Sequence, residues 1–244
     1  HVSHILVIDD LANRKHVCDV LLDQNLVANM QTRYDGKVEK DTIQLIGPKY
    51  ALLRLEFLQL RNQIQEKVID PYKILVFFGG SDSTNQTRKA LEALLKSVNP
   101  CTSVDVVIGK GNPHAEELRT FCSMHKMFSL HVQTSDMARL LLRAGMVIGA
   151  GGTNTWERCC MGTPSVILSV ADNQIPIAEG VHENGMAVYL GKAENVSIQQ
   201  LADAIEKLQT NVDLLSEMSR KCYEAVDGQG VERVSSLMIQ VGGG

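Results

Sequence analysis

Residues 144–185 read AGMVIGAGGTNTWERCCMGTPSVILSVADNQIPIAEGVHENG, and their punctuation sets the architecture. Met146 to Ala150 is an apolar run that breaks at Gly151-Gly152. Thr153 stands where a helix cap belongs, ahead of a short helix holding Trp156, Glu157 and Cys160. Gly162 stops that helix as a left-handed cap, and Pro164 opens the next strand, Ser165 to Val170. A glycine turn feeding a helix N-terminus presents free N–H groups and suits a phosphate. Glu157 lies one turn further on the same face, where a carboxylate can accept two hydrogen bonds from vicinal hydroxyls such as those of a ribose. The same glycines also allow close helix–strand packing, so both readings stand at this point.

Working outward, the pattern is regular from Lys73 onward. Ile74 to Phe78 predicts a strand ending at Gly79-Gly80, and Ser81, Asp82, Ser83 and Thr84 offer caps for a helix from Asn85 to Ser97. Further strands are expected at Val104–Ile108, Ser129–Val132 and Ala187–Leu190. Helices are expected at Pro113–Lys126, Asp136–Arg143 (capped by Ser135), Ser197–Leu208, Val212–Val226 and Val231–Ile239. Six strands alternating with helices call for a doubly wound parallel sheet, with ligands beyond the strands' carboxyl ends at a switch point. Gly79-Gly80 and Gly151-Gly152 both follow strands and can border one crevice. No GxGxxG fingerprint and no Walker A lysine occurs, which argues against NAD and P-loop chemistry.

The first seventy residues differ. Short strands are expected at Ile5–Ile8, Asp19–Asp23 and Thr42–Ile46, then a helix over Tyr50–Ile64 with apolar Leu53, Phe57, Leu60 and Ile64. With hardly a crossover helix among them, these strands read as the tail of a domain. The expected division is 1–70, an N-terminal remnant and linker, and 71–244, a C-terminal binding domain. Composition excludes other classes. Net charge is −4 with no basic run, so nucleic acid is not an expected partner. No run of about eighteen apolar residues exists, so no membrane span is expected. The six cysteines lack metal-ligand spacing and read as reduced thiols of a cytoplasmic protein.

The segment GAGGTNTWERCCMGTPSVILSVADNQ resembles the donor-binding segment of GT-B-type nucleotide-sugar enzymes. With VIDDLANRKHVCDVLLDQN, GPKYALLRLEF, VFFGGSDSTN, the Asp136-Met137-Ala138 turn and DGQGVERV, the chain more specifically resembles one hydrolase family of pseudaminic acid biosynthesis. That family hydrolyses UDP-2,4-diacetamido-2,4,6-trideoxy-β-L-altropyranose, and it has spore-coat and flagellin-modification relatives. The resemblance implies a two-domain GT-B-like α/β fold, the C-terminal doubly wound (Rossmann-like) sheet plus the tail of an N-terminal domain. It implies a UDP-sugar substrate. Gly151, Gly152 and Thr153 would hold the diphosphate, Glu157 the uridine ribose, and Gly80 and Ser81 would approach the phosphates. The backbone from Val132 to Met137 would face uracil. Asn173, with Gln174 beside it, would act at the sugar or the attacked centre. N–H groups can neutralise the diphosphate, so neither metal nor cofactor is expected. The family's Gly-x-Gly-His-x-x-Arg loop, bearing the proposed water-activating histidine, is not among these residues. About a hundred family residues, by domain size, are therefore expected to precede them as the intramolecular partner.

Plainer roles are available to some of these residues. Asn173 could cap the following helix, Glu157 could pair with a basic side chain, and Asp10, Tyr50 and Arg54 could serve interdomain packing as well as substrate. His131 and His182 are given no catalytic role, since a strand histidine is more often packed and a helix histidine can face solvent.

Overall fold

The computed structural model describes residues 4–64, 67–96 and 102–242; the expected helix end Ser97 and Cys101 lie outside them. Near the start, β1 (Leu6–Ile8), β2 (Val20–Asp23) and β3 (Ile43–Ile46) pair side by side, all parallel. The crossovers, residues 9–19 and 24–42, contain no helix. Polar groups hold them instead. The Tyr34 hydroxyl donates to Asp9 Oδ2 at 2.9 Å and to Asp23 Oδ2 at 3.1 Å, and Arg33 Nη1 donates to Asp23 Oδ2 at 2.8 Å. A parallel connection needs length, and here turns supply it without a helix.

The helix expected over Tyr50–Ile64 is shorter. Pro48–Tyr50 is a 3₁₀ turn, Arg54 is extended, and α1 covers only Leu55–Arg61. Lys67, in the connector that follows, donates to the carbonyls of Leu141 and Met161 and to Thr163 Oγ1.

The second sheet contains β4 (Lys73–Phe77), β5 (Ser103–Ile108), β6 (Phe128–Val132), β7 (Met146–Ala150), β8 (Ser165–Ser169) and β9 (Ala187–Lys192). Its order is β6-β5-β4-β7-β8-β9 with every neighbour parallel. This is the doubly wound Rossmann order, and the winding reverses between β4 and β7. The central strands β7 and β8 are buried throughout, and β4 is buried or nearly so beyond Lys73, because helices cover both faces. Ile74, Val76, Ile148 and Val166 point to the core beneath α2 (Gln86–Lys96) and α7 (Ile198–Gln209). Leu75, Val147 and Ile167 point to the core formed with α4 (Met137–Arg143), α5 (Asn154–Cys160) and α6 (Ile175–Glu183). The remaining helices are α3 (Ala115–Ser123), α8 (Val212–Ala225) and α9 (Gly230–Gly242).

Local chemistry explains the ends. Gly162 has φ +60, the left-handed cap expected of it. Ser197 and Gln200 form a capping box at α7. Of four candidate caps before α2, Asp82 acts, its two oxygens accepting from Gln86 N and Thr87 N at 2.8 Å each. Two expected caps fail. Thr153 flanks α5 in helical conformation with no side-chain cap, because the turn already closes through Thr155 N to Gly152 O at 2.9 Å. Asp136, not Ser135, flanks α4, also without a side-chain cap.

The last helix, α9, leaves the second sheet. Val234, Leu237, Met238 and Val241 pack on Val20, Leu22 and Leu45 of the first. A Cβ on Gly230 would stand 2.2 Å from the Ala51 carbonyl oxygen, so only glycine permits this return. The expected boundary at residue 71 is thus crossed twice by the chain.

Candidate functional site

Register assembles the site. Phe77 of β4 stands opposite Gly149 of β7. Gly79-Gly80 and Gly151-Gly152 each begin two residues later, so both turns rise at the same height where the winding reverses. The two glycines of the second turn differ in kind. A Cβ on Gly151 would meet Ala178 Cβ at 3.1 Å and the Gln174 carbonyl oxygen at 3.2 Å, whereas one on Gly152 would have only Gln174 Nε2 at 3.8 Å. Gly151 therefore serves close packing, and Gly152 lies beside open space. Gly79 has φ +94, and neither it nor Gly80 has any atom within 4 Å of a built Cβ. Ser81 and Thr153 are exposed.

The loop after β8 closes a second side. Gln174 Oε1 accepts from Val170 N at 3.0 Å, which folds residues 170–174 back beneath Gly152. Asn173 is exposed in the 3₁₀ turn Asp172–Gln174, and its side chain makes no hydrogen bond among the described residues. It does not cap α6, which Gln174 precedes without a side-chain cap. A cavity of about 440 Å³ adjoins this loop, between the start of α2 and the ends of β8 and β9, with the Lys192–Asp172 ion pair (2.7 Å) on its wall.

Glu157 lies on the other side of the α5 turn. Arg54 Nη2 is 3.6 Å from Glu157 Oε1 and 3.1 Å from Glu56 Oε1. Burial raises the Glu157 pKa, and Arg54 and Arg158 pull it back. The pairing with a basic side chain foreseen from sequence is thus present, and it engages Oε1, one of the two carboxylate oxygens. Beyond Glu56, a cavity of about 270 Å³ separates α1 from the start of α4, lined by Gln59, Ser135, Asp136 and Arg139 among others. Met137 sits at this edge, but its side chain is 7% exposed and belongs to the core, so only its backbone can face a ligand.

The crevice brings Gly80, Ser81, Gly151, Gly152, Thr153, Asn173 and Gln174 to neighbouring strand ends, with Glu157 and the Met137 backbone along its flank. His131 and His182 stand elsewhere. His131 Nε2 lies 2.7 Å from Asp105 Oδ1 on the outer strands, and His182 Nδ1 lies 3.1 Å from the Ala187 carbonyl oxygen. Of the other two residues of double meaning, Asp10 offers its carbonyl to Arg33 and Tyr50 packs beneath α9. Sequence reading passed over His114, whose Nε2 is 3.1 Å from the Ser83 carbonyl oxygen, and Lys192. Neither sits in a motif that would have drawn notice. Among the described residues, no group of three or more His, Cys, Asp or Glu side chains is placed to hold a metal ion, and no helix is long and apolar enough to cross a membrane.

Known proteins resemble this chain in sequence and in fold. The chain is 30% identical over 197 residues to the spore coat polysaccharide biosynthesis protein SpsG of Bacillus subtilis (strain 168), covering 79% of this chain and 57% of that protein. In three dimensions it is similar to MurG of Acinetobacter baumannii (TM-score 0.62, 18% identity, 91% of this chain and 66% of that one). It is also similar to the glycotransferase of kitacinnamycin (TM-score 0.61, 20% identity, 92% and 55%). At those identities the likeness establishes the GT-B-type parallel α/β fold. The chain spans a little over half the length of its SpsG relative. The model of the glycosyltransferase family 28 C-terminal domain matches residues 74–234. That match runs from the second residue of β4 into α9 and takes in every turn of the crevice, and by it the chain belongs to the glycosyltransferase family 28 C-terminal domain family.

Proposed function

We propose that this chain is the UDP-binding half of an enzyme that splits a UDP-sugar between its anomeric carbon and the phosphate oxygen. The acceptor is water, and the sugar is a diacetamido-trideoxy hexose of the kind its sequence words resemble. The observation that carries the UDP reading is the pairing of two glycine turns at one height, with the Glu157 carboxylate a helical turn beyond them. N–H groups of the turns and the Thr153 and Ser81 hydroxyls receive the diphosphate, Glu157 accepts from the ribose hydroxyls, and the Met137 backbone faces uracil. Asn173 and Gln174 attend the sugar. The departing UDP takes the bonding electrons, and a base takes the proton of the attacking water. That base is assigned to a Gly-x-Gly-His-x-x-Arg loop in a further domain, the intramolecular partner of this chain.

A second reading, transfer of the sugar to an acceptor hydroxyl, is favoured by the family match. It uses the same cradle and differs only in what excludes water.

Calorimetry tests the shared part: UDP binds this chain and ADP binds distinctly more weakly, with no requirement for Mg²⁺. Equal binding, or none, refutes the reading. Glu157→Ala removes hydrogen bonding to a charged acceptor, of which one bond's worth is about 1.5–3 kcal/mol, so UDP affinity falls at least roughly tenfold to a hundredfold. An unchanged dissociation constant in the same titration would remove Glu157 from the site.

A further inference from the structure

Arg158 is a buried charge whose only part so far is its pull on Glu157. It lies within α5 at 2% exposure. Its Nη2 donates to the Ala150 carbonyl at 2.9 Å and to Thr155 Oγ1 at 2.6 Å, while Nε and Nη1 have no hydrogen-bond partner among the described residues. Glu157, the adjacent acid, pairs with Arg54 instead. Burial lowers the guanidinium pKa to about 10, which still leaves it cationic at neutral pH. Glu157 attracts it only at longer range, and no carboxylate among the described residues lies within ion-pair distance of it. A desolvated ion without a close counter-charge is strongly unfavourable, so its retention calls for further compensation.

Its position says where that charge comes from. Helical side chains lean toward the N-terminus, so the guanidinium reaches back past the start of α5. The carbonyl it holds belongs to Ala150, the residue before Gly151-Gly152. A Cβ on Gly149 would stand 3.2 Å from Arg158 Nη1 and 2.3 Å from the Phe77 carbonyl oxygen. The cation therefore lies against β7 where β7 pairs with β4, directly below both glycine turns. This also explains a glycine in the middle of a buried strand. α5 has only seven residues, so its peptide dipoles alone offer an anion little.

We propose that Arg158 is the electrostatic anchor of the site, a fixed and desolvated cation beneath the two turns whose counter-ion is the ligand's diphosphate. The proposal rests on the UDP reading and deepens it. Arg158 is a positioning residue, acting through its field and through its grip on the Ala150 carbonyl, without touching substrate.

The test compares UDP with uridine, by calorimetry on the 244-residue chain as wild type, Arg158→Met and Arg158→Lys. Wild type prefers UDP. Arg158→Met keeps uridine affinity within about twofold and lowers UDP affinity roughly ten- to fiftyfold, the scale of one charge interaction at an effective dielectric of about 20. Arg158→Lys, retaining the charge, recovers part of the preference. A merely structural role would weaken both ligands together. An unchanged UDP-to-uridine ratio in Arg158→Met overturns the proposal, as does equal affinity of wild type for the two ligands. Should Arg158→Met not fold, wild type decides by NMR: the Arg158 Nε–H signal moves on adding UDP and holds still with uridine, and a signal indifferent to UDP overturns the proposal. Wild type that binds neither ligand refutes the UDP reading, and the anchor with it.

Discussion

Incubated with a UDP-sugar, the 244-residue chain releases UDP no faster than a protein-free blank. As proposed, the crevice holds the diphosphate and stabilises the leaving group, while the base that takes a proton from water is assigned to a further domain. His131 and His182 are engaged on outer elements, and His16 is buried 3.5 Å from Asp9 in the first sheet. Positioned proton transfer contributes about 10²–10⁴-fold to rate. Without the loop proposed to carry the base, that factor is lost, together with whatever orientation of the sugar the further domain provides. UDP release followed over hours is the measurement. Turnover well above the blank would place the base within this chain, and His114, against the Ser83 carbonyl beside the first glycine turn, would be the first residue to replace.

The proposed division of labour agrees with what each part of the sequence discloses. The run from β7 through β8 is legible because its signals are local: apolar residues stop at Gly151, a left-handed cap falls at Gly162, and Pro164 opens a strand. The alternation of strands and helices likewise gives a doubly wound sheet without knowledge of strand order. Register is not local. Nothing in VFFGGSDSTN states that Phe77 will face Gly149, and the coincidence of the two turns emerges only when the sheet is assembled. Side-chain direction is equally hidden. Met137 reads as a turn residue and is buried, and nothing in the letters beside Glu157 tells that Arg158 is enclosed. The return of α9 to the first sheet depends on a Gly230 contact with Ala51, far away along the chain.

Trp156→Ala is expected to cost more stability than any other truncation near the site. Trp156 is fully buried in α5 between Gly152 and Glu157, and its Nε1 donates to Asn25 Oδ1 at 3.3 Å. Asn25 follows β2 of the first sheet and is itself buried, its N–H held by Asp23 Oδ1 at 3.0 Å. The indole thus joins the helix of the glycine turn to the other sheet. Next to that joint, a Cβ on Gly180 of α6 would lie 2.0 Å from the Leu26 carbonyl oxygen, so the backbones meet with no room to adjust. Truncation to alanine removes about 3–5 kcal/mol of packing. It also strands the buried Asn25 oxygen, a further penalty of roughly 1–3 kcal/mol. For a chain of this size the melting temperature then falls by about 10 °C or more. Trp156→Phe keeps most of the packing and loses mainly the hydrogen bond, so its shift is expected to be under half as large. UDP affinity, measured well below the melting point, should fall more for the alanine variant, because Thr153 and Glu157 flank the cavity it opens. Thermal melts of both variants decide it, and an alanine variant melting within about 2 °C of wild type would mean that α5 is held in place without its tryptophan.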